Sequence, residues 1–115
     1  MNWFQEASKR TLEHNYGFVT PKEIELINLA GCIAEESGEI FGALKKQIIH
    51  RHGLNVEKIA EEIGDCMWYI AALCTKLGID MDDVMIANIN KLKERYPDGF
   101  SVEKSINRKS EGEHE

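Results

Sequence analysis

Little in this chain would interrupt a helix. Its two prolines among 115 residues, Pro21 and Pro97, both fall where a helix would begin or end. Alternation of apolar and polar residues is missing over any useful length, which excludes a strand-based fold. No uninterrupted apolar run approaches the roughly 18 residues that span a bilayer, so a membrane partner is not expected. The start, Met1-Asn2-Trp3-Phe4-Gln5-Glu6, lacks a basic region followed by an apolar one, which is not how a secretory leader begins. Cysteine is sparse and odd in number. Cys32, Cys66 and Cys74 have no C-x-x-C spacing and fall on apolar faces, as small core hydrophobes of a reducing, cytoplasmic compartment do. Positive charge is also short: 14 Lys and Arg against 20 Asp and Glu give a net charge of -6. Wide contact with nucleic acid depends on Lys and Arg neutralising phosphates, so nucleic acid is not an expected partner.

What is present is helical periodicity. A chain of this length makes one domain and buries roughly 60 to 68% of its unfolded surface. Residues 2–15 read as a short amphipathic helix with Trp3, Phe4, Ala7 and Leu12 inward, ending before Tyr16-Gly17. Thr20-Pro21-Lys22-Glu23 then combines an N-cap, a proline at the first helical position and the acid of a capping box. From there Leu26, Leu29, Ile33, Glu36, Ile40 and Ala43 recur at steps of three and four, one helix face continued to about His50. After the turn at Arg51-His52-Gly53, Asn55 caps a third helix with a core stripe of Val56, Ile59, Ile63, Cys66, Ile70, Leu73 and Leu77 and a neighbouring stripe of Glu62, Asp65, Tyr69 and Ala72. Gly78 ends it. Asp80 and Asp83 start a fourth helix that turns Val84, Met85, Ile89 and Leu92 inward until Tyr96-Pro97-Asp98-Gly99 stops it. The expectation is an all-α, four-helix bundle-type subunit with two long central helices over residues 1–100, followed by a polar, flexible tail at 101–115. The long helices carry more than one apolar stripe, Ile24, Ile27 and Phe41 on one and Met67, Trp68 and Ala71 on the other. Self-association would cover them, as a homodimer or dimer of dimers in which Gly31, Gly38 and Gly42 permit close helix approach.

Two acidic clusters stand inside these apolar patterns: Glu35-Glu36-Ser37-Gly38-Glu39 and Glu61-Glu62-Ile63-Gly64-Asp65. Glu36 with Glu39, and Glu62 with Asp65, are three residues apart and project from nearly the same side of a helix. A solvated face held by ion pairs would show basic residues one turn away. Instead Glu35 meets Glu39, Glu57 meets Glu61 and Glu61 meets Asp65, and Lys58 alone reaches Glu61 or Glu62. Two such pairs on facing helices make an oxygen-only cage, which suits Mg²⁺, or Mn²⁺ as a substitute, over Zn²⁺. A di-iron carboxylate bundle wants Glu-x-x-His on paired helices, and that spacing occurs only from Glu111 to His114 in the tail. Because Mg²⁺ sites are usually completed by substrate phosphates, the cage points to a phosphorylated substrate. On the fourth helix Asn88, Lys91 and Arg95 share a face and could line up along a polyphosphate. Taken alone, they also read as a helix end whose basic residues complement its dipole.

Together these residues resemble the MazG-type all-α nucleoside triphosphate pyrophosphohydrolases. The family pattern E-x-x-E, spacer, E-x-x-D is met by Glu36 to Glu39, twenty-two intervening residues, and Glu62 to Asp65. The segments Leu77-Gly78-Ile79-Asp80 and Asn88-Ile89-Asn90-Lys91 through Arg95-Tyr96-Pro97-Asp98-Gly99-Phe100 also look like the family, so the resemblance covers about residues 20 to 100. It implies hydrolysis of a nucleoside or deoxynucleoside triphosphate to the monophosphate and pyrophosphate. Glu36, Glu39, Glu62 and Asp65 would then hold the metal, which polarises phosphoryl oxygens and activates water. Lys91, Arg95 and Asn88 would neutralise charge on the departing pyrophosphate, and Glu35 or Glu61 would accept the proton of the attacking water. Among the aromatics Trp3, Phe4, Tyr16, Trp68 and Tyr69, Tyr69 is best placed to stack a base, one turn beyond Asp65. Two other readings stay open: a phosphoribosyl-ATP pyrophosphohydrolase of histidine synthesis, and a non-catalytic helical oligomerisation module that binds a cation.

Overall fold

A computed structural model describes residues 1–12, 14–99, 102 and 106. The expected loose tail therefore lies, apart from Val102 and Ile106, outside the described residues, as does Phe100. The described residues contain four α-helices and no strand: α1 (Trp3–Ser8), α2 (Pro21–Leu44), α3 (Val56–Leu77) and α4 (Met81–Arg95). The all-α expectation is met. None of these helices is long and apolar enough to cross a membrane. The packing divides into two units, Met1–Ile70 and Ala71–Glu115, with the division falling inside α3.

In the first unit, α2 starts as its sequence dictates. The Thr20 hydroxyl accepts from the Glu23 N–H at 3.1 Å, and the Glu23 carboxylate accepts from the Thr20 N–H at 2.9 Å. These bonds hold the Glu23 carboxyl below its ordinary pKa of 4.5. A depressed carboxyl pKa contributes stability above the unfolded value, lost as pH falls from 4.5 through the folded value. Thr20→Ala should cost about 1 kcal/mol at pH 7, and its thermal melts should show a smaller loss of stability between pH 4.5 and lower pH than the parent. After Leu44 the helix widens into a π-helical stretch, Lys45–Ile49. The inward face of α2 is the expected one: Leu26, Leu29, Ile33, Glu36, Ile40 and Ala43 are all half-buried.

Two expectations need correction here. The first helix is shorter, six α-helical residues and a 3₁₀ turn at Lys9–Thr11, and Trp3, Phe4, Ala7 and Leu12 are exposed rather than inward. A helix this short has nothing to hold those rings except each other; Trp3 and Phe4 meet edge to face, with centroids 5.5 Å apart. On α3, the buried or half-buried positions are Ile59, Glu62, Cys66, Tyr69, Ile70, Ala72, Leu73 and Cys74, while Val56, Ile63, Asp65 and Leu77 are exposed. The inward face is thus centred between the two expected stripes. That rotation brings Glu62 and Tyr69 in.

Within the second unit, α3 ends in a Schellman turn. Gly78 adopts φ 72°, its N–H donates to the Thr75 carbonyl, and the Ile79 N–H donates to that of Cys74. The Asp80 carboxylate then caps α4 by accepting from the Asp82 N–H at 2.8 Å. Val84, Met85, Ile89 and Leu92 were expected inward and are exposed. Among described residues, Cys74 and Glu62 alone are buried outright.

Candidate metal centre

Glu36 comes from the middle of α2; Glu62 and Asp65 come from the second and third turns of α3. Each offers one carboxylate oxygen, and the three oxygens lie within 4.8 Å of one another. Octahedral Mg²⁺ with Mg–O distances near 2.1 Å spans about 4.2 Å between opposite ligands, so small side-chain rotations bring all three into one coordination sphere. The donor set is oxygen only. That fits a hard divalent cation and suits Zn²⁺ less well.

Glu62 is 8% exposed and Glu36 half-buried, while Asp65 is exposed, so two of the three carboxylates are held wholly or partly away from bulk water. Burial first, and then the charges of Asp65, Glu62, Glu35 and Glu39, pushes the Glu36 carboxyl above its ordinary 4.5. A carboxyl raised in this way favours the folded state most below 4.5 and loses that contribution as pH climbs through the folded value. The cluster is short of positive charge. Lys58 supplies what is there: its ammonium lies 3.1 Å from a Glu62 oxygen and 4.0 Å from Glu61. The hydrogen bond to Glu62 and that acid's charge raise the Lys58 pKa above 10.5 against the opposing effect of burial.

The fourth acid of the expected cage stands apart. Glu36 points among the acids of α3, while Glu39 lines a cleft of about 650 Å³ with Glu35, Glu62 and Lys58. Glu61 is exposed and lines neither this cleft nor the smaller one of about 350 Å³ bordered by Glu36, Asp65, Trp68 and Tyr69. Tyr69 is thus beside the acids, as its spacing suggests, with exposed Trp68 next to it. Asn88, Lys91 and Arg95 share one face of α4 in the second unit, the first two exposed and Arg95 half-buried. Sequence reasoning missed the lining of the larger cleft, notably Lys46 and His52. Lys46 follows Gly38 and Gly42 at four-residue steps, a signal that was available.

The helices and the clustered carboxylates define an all-α protein with a group of three acids, Glu36, Glu62 and Asp65, placed so that they could hold a metal ion. Residues 25–100 match the MazG nucleotide pyrophosphohydrolase domain, and the chain belongs to that family. The Gene 37 protein of Mycobacterium phage L5 is 35% identical in an alignment 68 residues long that covers 56% of this chain and 60% of that protein. The chain thus spans about three-fifths of the length of the curated relative it matches. No solved structure matches it.

Proposed function

We propose that the protein hydrolyses a nucleoside or deoxynucleoside triphosphate to its monophosphate and pyrophosphate with the help of Mg²⁺, as a house-cleaning enzyme of the nucleotide pool. The observation that carries this reading is the convergence of Glu36, Glu62 and Asp65 on one point in a chain of the MazG family. Those three residues, with Glu39 beside them, would hold the cation, which when bound supplies charge neutralisation at phosphoryl oxygens and a more acidic water. Glu35 is the better candidate for the proton acceptor, because it lines the cleft next to Glu39 and Glu62 whereas Glu61 is turned out beside Lys58. Tyr69 and Trp68 offer ring faces to a base at the smaller cleft. Asn88, Lys91 and Arg95 supply donors for the phosphate chain. The working unit is a homodimer or dimer of dimers, since the apolar faces of α2 and α3 are exposed in the single chain.

Pyrophosphate release from a panel of ribo- and deoxyribonucleoside triphosphates plus phosphoribosyl-ATP, with Mg²⁺ and with EDTA, tests the reading. Turnover of at least one nucleoside triphosphate, abolished by EDTA, is expected. Turnover of phosphoribosyl-ATP alone would place the protein in histidine synthesis, and no turnover of any compound would leave a cation-binding module.

A further inference from the structure

Residues 40–56 hold none of the chain's 20 Asp and Glu, yet they carry Lys45, Lys46 and Arg51. In a chain of net charge -6 this is a segregated positive stretch, and it forms the tip that joins α2 to α3. The tip is also apolar at its surface. Ile48, Ile49, Leu54 and Val56 are between 59% and 67% exposed. Four large aliphatic side chains clustered within nine residues make a patch, where an ordinary surface scatters them singly.

The patch is held in one shape by the bonds of its own backbone. The His50 N–H donates to the Lys45 carbonyl at 3.1 Å, the wide spacing of a π turn, and π turns within helices recur at functional sites. The Gly53 N–H donates to the Gln47 carbonyl at 3.1 Å, and the Gln47 side-chain oxygen accepts from the Asn55 N–H at 2.7 Å. Arg51 takes φ 59°, a left-handed conformation that is costly for a residue with a Cβ. Such a conformation persists only where its surroundings dictate it. Around this fixed aliphatic centre stand charges of both signs. Lys45, Arg51 and Glu57, the first acid beyond the tip, are exposed and make no ion pair among the described residues.

We propose that the tip docks on the tip of a second copy of this chain about a two-fold axis, the aliphatic residues meeting across it and Lys45 and Arg51 of each copy facing Glu57 of the partner subunit. A two-fold interface has to be complementary to itself, and this patch carries its own complement. An anionic membrane would also attract the lysines, but a chain of net charge -6 with Glu57 beside Val56 opposes that approach. The proposal rests on the reading of the working unit as self-associating and decides it for a dimer of dimers, because Ile27 lies about 30 Å along α2 from Ile48 and belongs to a different surface. One tip is small beside a stable interface of about 1,600 Å². A dimer carries two tips and binds through both, so the contact joins dimers and does not hold single chains. His52 and Gly53 of the same loop line the larger cleft, so the docked copy stands at that end of it.

Sedimentation velocity of the full chain at micromolar concentration tests this, with helix content checked by circular dichroism. Lys45→Glu and Glu57→Lys should each weaken the association of dimers by at least about 10-fold, since every attractive pair across the axis becomes a repulsive one. An equimolar mixture of the two variants should recover parent-like association, because each supplies the charge that the other has reversed. Pairing of Lys45 with Glu57 inside one chain gives no such recovery. Ile49→Ser with Leu54→Ser should leave dimers that no longer pair, whereas Ile27→Glu with Phe41→Glu should leave single chains. A mixture that associates no better than its components, or tip variants that match the parent, overturns the proposal. So does a parent that stops at the dimer, which leaves the homodimer reading intact, and so does a monomeric parent, including one that binds phosphatidylserine vesicles through the tip. If the Ile27 and Phe41 variant still pairs through its tip, the docking surface stands and the α2 face is the part that fails.

Discussion

Asp65→Asn will remove turnover, by more than about 100-fold, without unfolding the protein. Asparagine keeps the volume and one oxygen of Asp65 but gives up its charge. Even substitutions of groups that only orient metal ligands lower activity or affinity about 10- to 100-fold, and loss of a direct ligand should exceed that. The stability effect has the opposite sign. After burial, the charge of Asp65 is the largest cause that raises the Glu36 carboxyl pKa, so the native state holds charges that oppose one another. Removing one of them should leave the melting temperature in EDTA equal to or above that of the parent. Added Mg²⁺ should then raise the parent's melting temperature and barely move the variant's, because a ligand that binds only the folded state stabilises by about 2.7 kcal/mol at 100 times its Kd. Unfolding of Asp65→Asn in EDTA would show the acids to be structural.

A second large effect concerns association. In the first unit the described apolar residues reach at best half-burial, while Ile27 is 66% exposed, Phe41 68% and Trp68 75%. Burying an aliphatic or aromatic side chain contributes about 1.5 to 3 kcal/mol, and a domain's net stability is only about 5 to 15 kcal/mol. The single chain therefore leaves uncovered an amount of apolar surface comparable with its whole stability. Folding coupled to self-association is the physical remedy, and its signature is a melting temperature that rises with protein concentration. Ile27→Glu with Phe41→Glu should dissociate the assembly, lower the melting temperature sharply and remove the concentration dependence. A parent protein that stays monomeric at micromolar concentration in light scattering, with a melt independent of concentration, would contradict this.

Legibility from sequence followed the range of the forces involved. Local signals were read well: the Thr20–Glu23 box, the Asn55 cap and the Gly78 terminator depend on residues within one turn. The inward face of α2 was equally plain, because a long helix repeats its pattern through six positions from Leu26 to Ala43. On α3 the stripe of Glu62, Asp65, Tyr69 and Ala72 carries two acids, so apolar periodicity alone did not mark Glu62 and Tyr69 as inward. Trp3 and Phe4 failed for the complementary reason, since burial of a ring requires a partner that no local pattern supplies. At the site, charge density marked the acids, and the absence of ion-pair partners marked them as unusual. The separation of Glu39 from the other three, and a cleft that Lys46 and Lys58 line, are properties of the space between two helices. Gly38 and Gly42 illustrate the difference: read along the chain they suggested close helix approach, and within this chain they border open space.

The central claim is that Glu36, Glu62 and Asp65 form one cation site. It is tested most directly by titrating Mn²⁺ into the full chain and its Glu36→Gln and Asp65→Asn variants, with free Mn²⁺ followed by electron paramagnetic resonance. One shared site predicts saturable uptake by the parent and a loss of affinity of at least about 10-fold in each variant. Uptake that is the same in all three proteins, or that the parent does not show at all, would contradict it.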